Sequence, residues 1–177
     1  MATYANTYGD FTIVDGTHNM LMYDLKLIPY TNVDCLGKNV VSGYCLDESE
    51  NGESIKEGLQ LFGLANAKAT LMSDGGSAYA TCAQDISMIH ILCTQHFQQT
   101  IFTSCGGMGD SSDQFKRDAM ALIYASLPSE DIWLEKFNTA LHAYSQFPSA
   151  QKCLKTIFQQ RMKACHCFTG GNSDTVL

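Results

Sequence analysis

The chain has 177 residues, of which 45% are hydrophobic and 16% charged, so it fits a globular protein with a proper core and not a disordered chain. Its apolar runs are far shorter than the ~18 residues of a membrane span, and its N-terminus lacks the features of a secretory signal. We therefore expect an intracellular protein with no membrane partner. The net charge of −7 argues against a general nucleic-acid-binding surface, so any contact with DNA needs a local basic patch or a separate basic domain.

The first ninety or so residues alternate strand and helix signals. Short runs of β-formers bounded by turn residues predict five strands, at 10–15, 21–31, 39–46, 69–73 and 87–93. Helical spacing of apolar residues predicts a helix over about 55–62, capped by Ser49 or Asn51, and a short helix follows at 77–84. The order is β-β-β-α-β-α-β, and its short turns make the first three strands an antiparallel meander.

From His96 onward, helical periodicity replaces the strand signals and predicts helices at 115–126, 131–144 and 150–164. Large apolar residues recur along one face of the second of these, from Trp133 to Tyr144, which indicates packing and not a cofactor site. Seven of the eleven Lys and Arg residues lie beyond residue 110, where they form either a solvated helix face or a contact surface.

Two acidic residues stand at the carboxyl ends of predicted strands and directly before glycines. Asp15 is the last residue of the first strand, and Asp74 follows the fourth. A meander followed by a right-handed crossover typically places strand four beside strand one, so both carboxylates would lie at the edge where open α/β sheets bind ligands. Neighbouring carboxylates repel each other unless a cation such as Mg²⁺ or a proton neutralises them. Taken singly, either acid is more typical of a turn or a helix cap.

Three strings, in order along the chain, resemble the catalytic core of Mutator-like element (MULE) transposases, which belong to the ribonuclease H-like superfamily. They are Val-Asp-Gly-Thr-His-Asn at 14–19, Leu-Met-Ser-Asp-Gly-Gly-Ser-Ala-Tyr at 71–79 and Ile-His-Ile-Leu-Cys-Thr-Gln-His at 89–96. The resemblance covers about 8–102. It implies a nuclear DDE-type enzyme that binds two Mg²⁺ or Mn²⁺ ions, cuts transposon ends and joins them to target DNA. The resemblance is also compatible with a homo-oligomer.

The resemblance also implies a domain organisation. A ribonuclease H-like core with a mixed sheet would span 8–97, a helical insertion subdomain 98–167, and a tail at 168–177 would lead towards the third catalytic acid. In the family that acid is a Glu after the insertion, and no such Glu is present here. Asp174 is a candidate substitute; otherwise the acid lies past residue 177. Without it, the chain would be an incomplete or decayed catalytic domain, or a domesticated module that binds DNA or protein without catalysis. A nuclease of the same fold is a further alternative.

Further residues near the two acids match motifs of the family. Asp15 and Thr17 match its Asp-x-Thr motif, and Ser73 with Asp74 matches its Thr/Ser-Asp motif. His18 lies three residues past the first acid, where it would either contact substrate phosphate or serve as a turn residue.

Cys93 and His96 match the Cys-x-x-His motif that follows strand five in the family. From the residues alone they form either a buried thiol with a hydrogen-bonded histidine or half of a zinc site, whose other half would come from the Cys-His-Cys run at 165–167. A nucleophilic Cys-His pair lacks an orienting third residue. The eight cysteines of the chain follow no disulfide framework, and we expect most to be buried and reduced.

Overall fold

A mixed β-sheet forms the first of two compact units, into which the chain divides after Ile91. The computed structural model describes residues 9–16, 25–124 and 129–164. The strands are β1 (Phe11–Val14), β2 (Lys26–Val33), β3 (Asn39–Asp47), β4 (Thr70–Ser73) and β5 (Ile89–Leu92). The helices of this unit are α1 (Gly52–Leu61) and α2 (Ser77–Asp85).

The strands lie in the order β3-β2-β1-β4-β5. Strand β2 is antiparallel to both of its neighbours, whereas β4 runs parallel to β1. A meander followed by a helical crossover that returns beside the first strand is the ribonuclease H-like arrangement. The predicted fold class, an α/β mixed sheet of order β-β-β-α-β-α-β, is therefore confirmed.

Helix α1 begins where the sequence indicates. The Asn51 side chain accepts hydrogen bonds from the backbone N–H groups of Glu53 and Ser54, both at 3.0 Å, so Asn51 is the N-cap and Ser49 is not. One face of the helix is apolar, as predicted, and buries Ile55 and Leu59 completely. Strand β2 ends two residues later than predicted, at Val33, and residues 21–24 of its predicted start lie outside the described residues.

Buried polar side chains link the three strands of the meander. Thr12 and Asn32 lie on β1 and β2 and are 0% and 1% exposed. The Asn32 amide donates to the Thr12 hydroxyl at 3.3 Å and its oxygen accepts from the Ser42 hydroxyl on β3. A slip of one residue would turn these groups to the opposite face of the sheet, so the network specifies the register of the meander.

The second unit begins at Leu92, and each of its described elements beyond β5 is helical. They are α3 (Thr94–Thr103), a short 3₁₀ turn (Gly109–Ser111), α4 (Ser112–Tyr124), α5 (Glu130–Ala143) and α6 (Pro148–Ala164). The apolar stripe on α5 packs as predicted: Trp133 is fully buried and stacks on Phe137 with ring centroids 5.4 Å apart. Helix α3 was not among the predicted helices. None of the described helices has the length and apolarity needed to cross a membrane.

Candidate metal centre

Asp15 and Asp74 occupy equivalent positions at the ends of two adjacent parallel strands. Phe11 lies opposite Thr70 and Ile13 opposite Met72 in the β1–β4 pairing. The same offset, continued by two residues, sets Asp15 opposite Asp74. Both acids directly follow the last strand residue, so the two carboxylates leave the same edge of the sheet from neighbouring strands, whose backbones are ~4.8 Å apart.

Alternation along the strands places the two acids on one face of the sheet. Val14 and Leu71 are fully buried in the core of the first unit. Successive side chains of a strand point to opposite faces of the sheet. Asp15 therefore lies on the same face as Ile13, and Asp74 lies on the same face as Met72. Asp15 is half-buried and Asp74 is exposed, so one carboxylate is partly enclosed by the fold and its neighbour is open to solvent.

Asp74 also has a local structural role. Its Oδ1 accepts the backbone N–H of Gly76 at 2.9 Å, which closes the turn between β4 and α2. Gly75 has a φ of +96°, a conformation that glycine adopts without steric cost, so the Asp-Gly-Gly sequence is suited to this turn. The bond fixes the orientation of the carboxylate and uses one of its two oxygens.

Ser73 joins β4 to β5 immediately before the exposed acid. It is 1% exposed, and its hydroxyl lies 2.9 Å from Nε2 of His90 on β5 and accepts the backbone N–H of Gly75 at 3.3 Å. The sequence motif included Ser73, but it gave no indication of its contact with His90, because only the tertiary pairing of the strands brings the two together.

Two residues that sequence reasoning did not single out lie beside the end of β1. The Tyr79 hydroxyl accepts the backbone N–H of Gly16, the residue after Asp15, at 3.1 Å. The same hydroxyl donates to the carboxylate of Glu50, which also lies 3.9 Å from the ammonium group of Lys26. Glu50 directly precedes the Asn51 cap of α1, and that position is the one sequence signal that could have drawn attention to it.

The remaining predicted site residues lie either outside the described residues or in the second unit. Thr17, His18 and Asp174 lie outside the described residues, as does the Cys-His-Cys run at 165–167. Cys93 and His96 belong to the second unit, where Cys93 is the residue that precedes α3 and His96 lies in the first turn of that helix.

Both side chains of the Cys-x-x-His motif are half-buried. Nδ1 of His96 is buried and has no hydrogen-bond partner within the described part of the chain. The expected hydrogen bond of this histidine is therefore not made through Nδ1. The zinc hypothesis stays a prediction. Of the other described thiols, Cys82, Cys105 and Cys153 are buried as expected, whereas Cys35 is exposed.

The donor set at the sheet edge suits a hard divalent cation. Mg²⁺ is commonly held by one or two carboxylates, and its remaining positions are filled by water and substrate phosphates. Asp15 and Asp74 supply two such carboxylates. Across residues 9–16, 25–124 and 129–164 there is no group of three or more His, Cys, Asp or Glu side chains placed to hold a metal ion, so a third protein ligand is not among them.

The chain is similar to solved structures but not to any protein family or curated sequence that was compared with it. The catalytic core domain of BIV integrase is similar to it over 84% of this chain and 83% of that domain, with 9% sequence identity and a TM-score of 0.35. The fold assignment therefore rests on the strand order and pairing of the chain itself.

Proposed function

We propose that this chain is the catalytic core of a Mutator-like DNA transposase, in which Asp15 and Asp74 bind Mg²⁺ or Mn²⁺. The observation that supports this proposal is the position of the two acids, opposite each other at the ends of adjacent parallel strands in a ribonuclease H-like sheet. A turn residue or helix cap needs no partner on the next strand. The pairing of two acids across strands far apart in sequence is what a metal site requires.

A bound divalent cation would activate the attacking water or 3′-hydroxyl and stabilise the charge that develops on the phosphate. The residues of the chain would hold and orient the reactants. Asp74, exposed and held by Gly76, is the carboxylate that faces an incoming DNA strand, whereas Asp15, half-buried, is the more enclosed ligand. Asp174 stays the candidate for a third acid.

The charges of the sequence are unevenly divided, which bears on where DNA would bind. Residues 1–91 contain eleven acidic and four basic residues, whereas residues 92–177 contain seven of each. Phosphate contacts come from Lys and Arg, so the helical unit is the better surface for DNA. Lys152 and Lys155 are exposed on α6, three residues apart and therefore on one face. Arg161 and Lys116 already pair with Glu130 and Asp113.

A second candidate function is a domesticated module that binds DNA or protein without cutting it. One observation favours this alternative: the described residues contain no group of three metal-ligating side chains. Such a module would keep the fold and the helical surface but would not need metal. The two functions therefore differ in a property that can be measured directly.

The test is Mn²⁺ titration by calorimetry on the wild-type chain, on Asp15→Asn, on Asp74→Asn and on the double variant. Asp34→Asn is a matched control, because Asp34 also accepts the N–H two residues later, from Leu36 at 2.8 Å, in a turn between β2 and β3. We expect each single site variant to bind Mn²⁺ at least 10-fold more weakly and the control to bind it normally.

Equal affinity in the wild type and the double variant would refute the two-carboxylate site. No binding by the wild type, together with retained binding of duplex DNA in a gel-shift assay, would favour the domesticated module. A loss of DNA binding in Lys152→Glu/Lys155→Glu, with unchanged Mn²⁺ affinity, would support the assignment of the DNA surface to α6.

A further inference from the structure

Two linked hydrogen bonds lie beside the end of β1, and neither involves the carboxylate of Asp15 or Asp74. The backbone N–H of Gly16 donates to the Tyr79 hydroxyl at 3.1 Å, and that hydroxyl donates to the Glu50 carboxylate. Tyr79 is 1% exposed, and the Glu50 side chain is 12% exposed. We refer to Gly16, Glu50 and Tyr79 as the strand-end clamp.

The clamp joins three elements, β1, α1 and α2, whose apolar side chains also pack in one core. Tyr79 lies in the first turn of α2, where its N–H bonds to the Gly76 carbonyl at 3.1 Å, at the end of the turn that Asp74 closes. Glu50 directly precedes the capping residue Asn51, so the start of α1 fixes its position. The clamp therefore connects the residue after Asp15 to the turn that contains Asp74.

Gly16 fits the clamp because it has no side chain. A methyl group at this position would lie 2.6 Å from the Glu50 carboxyl carbon, closer than real contacts allow. The Glu50 carboxylate thus packs directly on the Cα of the residue that follows Asp15. A larger residue would displace the carboxylate from this position.

We propose that Tyr79 and Glu50 are positioning residues, which hold the end of β1 so that the Asp15 carboxylate stays aligned with that of Asp74. This inference rests on the proposed metal-binding function. A buried charge is costly unless it is paired and hydrogen-bonded, and Glu50 meets that condition through Tyr79 and Lys26. These contacts of Glu50 lie at the end of β1, where a rigid backbone would keep the Asp15 carboxylate in place for a metal ion.

The test separates the clamp from the metal site by two measurements. The first is hydrogen exchange of the Gly16 amide, measured by NMR in Tyr79→Phe, which loses the hydroxyl and keeps the ring. We expect exchange at least 10-fold faster than in the wild type. Tyr30→Phe is the matched control, because Tyr30 is also buried in this unit but its hydroxyl contacts the Ser54 and Ile55 carbonyls.

The second measurement is Mn²⁺ affinity. We expect Tyr79→Phe and Glu50→Ala to bind Mn²⁺ 3- to 20-fold more weakly, Glu50→Gln to recover most of the affinity because it still accepts from Tyr79, and Tyr30→Phe to match the wild type. Unchanged affinity in Tyr79→Phe with fast Gly16 exchange would overturn the positioning role. A loss in Glu50→Gln as large as in Asp15→Asn would overturn it too, since Glu50 would then be a ligand.

Failure of the proposed function gives a different result. If the wild type binds no Mn²⁺, the metal site is wrong, and the exchange measurement alone then decides whether the clamp holds the strand end. If the Gly16 amide exchanges at the same rate in Tyr79→Phe and in the wild type, the clamp is refuted, whether or not the protein binds Mn²⁺.

Discussion

Removal of one carboxylate from the Asp15–Asp74 pair should stabilise the metal-free protein. At a separation of ~5 Å, two unit charges repel by about 0.8 kcal/mol in bulk water and by about 3 kcal/mol at an effective dielectric constant of 20. Asp74 is exposed, so the lower value applies. Asp74→Asn keeps the oxygen that accepts the Gly76 N–H and loses only the charge. We therefore expect a gain of ~0.5–1 kcal/mol, or ~1–4 °C in Tm.

Mn²⁺ should reverse the order of stability. At a concentration of 100 Kd, a ligand that binds only the folded state stabilises it by about 2.7 kcal/mol, which exceeds the repulsion it neutralises. Scanning calorimetry with EDTA should therefore show Asp74→Asn above the wild type, and calorimetry with Mn²⁺ should show the wild type above Asp74→Asn. The second variant, Asp15→Asn, should behave likewise, and the double variant should gain no more than either single one.

The control for this experiment is Asp34→Asn, which removes the same charge from a turn with the same hydrogen bond. It should change stability by less than ~0.5 kcal/mol with or without Mn²⁺. If Asp74→Asn destabilises the metal-free protein, or if the order of stability is the same in both buffers, the two carboxylates are not neighbours and the reasoning from strand register is wrong.

Three further predictions concern the cores. Gly58→Ala should destabilise the fold by about 1–3 kcal/mol in urea unfolding, although alanine favours a helix by ~1 kcal/mol, because the new methyl would meet the buried ring of Tyr30. Trp133→Phe should cost about 1–3 kcal/mol, measured by circular dichroism, because the Leu122 carbonyl loses a buried donor at 2.8 Å. Burial raises the pKa of Cys82 from 9.0 to about 11. The unfolded thiol ionises first, so Tm should fall between pH 9 and 11, and less so in Cys82→Ala.

Each of these has its own control. Gly106 has open space where a Cβ would be, so Gly106→Ala should leave stability nearly unchanged. Phe158→Leu, on the half-exposed edge of the same aromatic cluster, should cost less than Trp133→Phe. Exposed Cys35 should react with iodoacetamide at pH 8 in the folded protein, whereas Cys82 should react only after unfolding. Equal reactivity of the two thiols would contradict the burial of Cys82.

The register of the acids could be predicted from sequence because it follows from general rules. Strand signals, short turns and the right-handed crossover are enough to place β4 beside β1, and the structure has that pairing. Helix α3 was missed because most of its residues are polar, and only Phe97 and Ile101 contribute buried side chains. Two apolar residues four apart give too short a pattern to distinguish a helix from a loop.

Glu50 and Tyr79 could not be predicted in the same way. Neither residue type nor spacing distinguishes them from an ordinary acidic turn residue and an ordinary core aromatic. Their link to Gly16 arises only when the start of α1 and the first turn of α2 are both packed beside β1. Contacts of this kind depend on tertiary structure, so local sequence patterns do not predict them.

The parallel pairing of β1 with β4 makes the pair of acids a reporter of folding. Antiparallel neighbours can form from a local hairpin, but β1 and β4 are separated along the chain by β2, β3 and α1. Pairing that is distant in sequence forms slowly, because loop closure costs entropy before any contact compensates for it. Mn²⁺ added during refolding should therefore bind only with the last cooperative step of the first unit. A protease cut between Gly52 and Thr70 would remove the site while both aspartates remain in the sample.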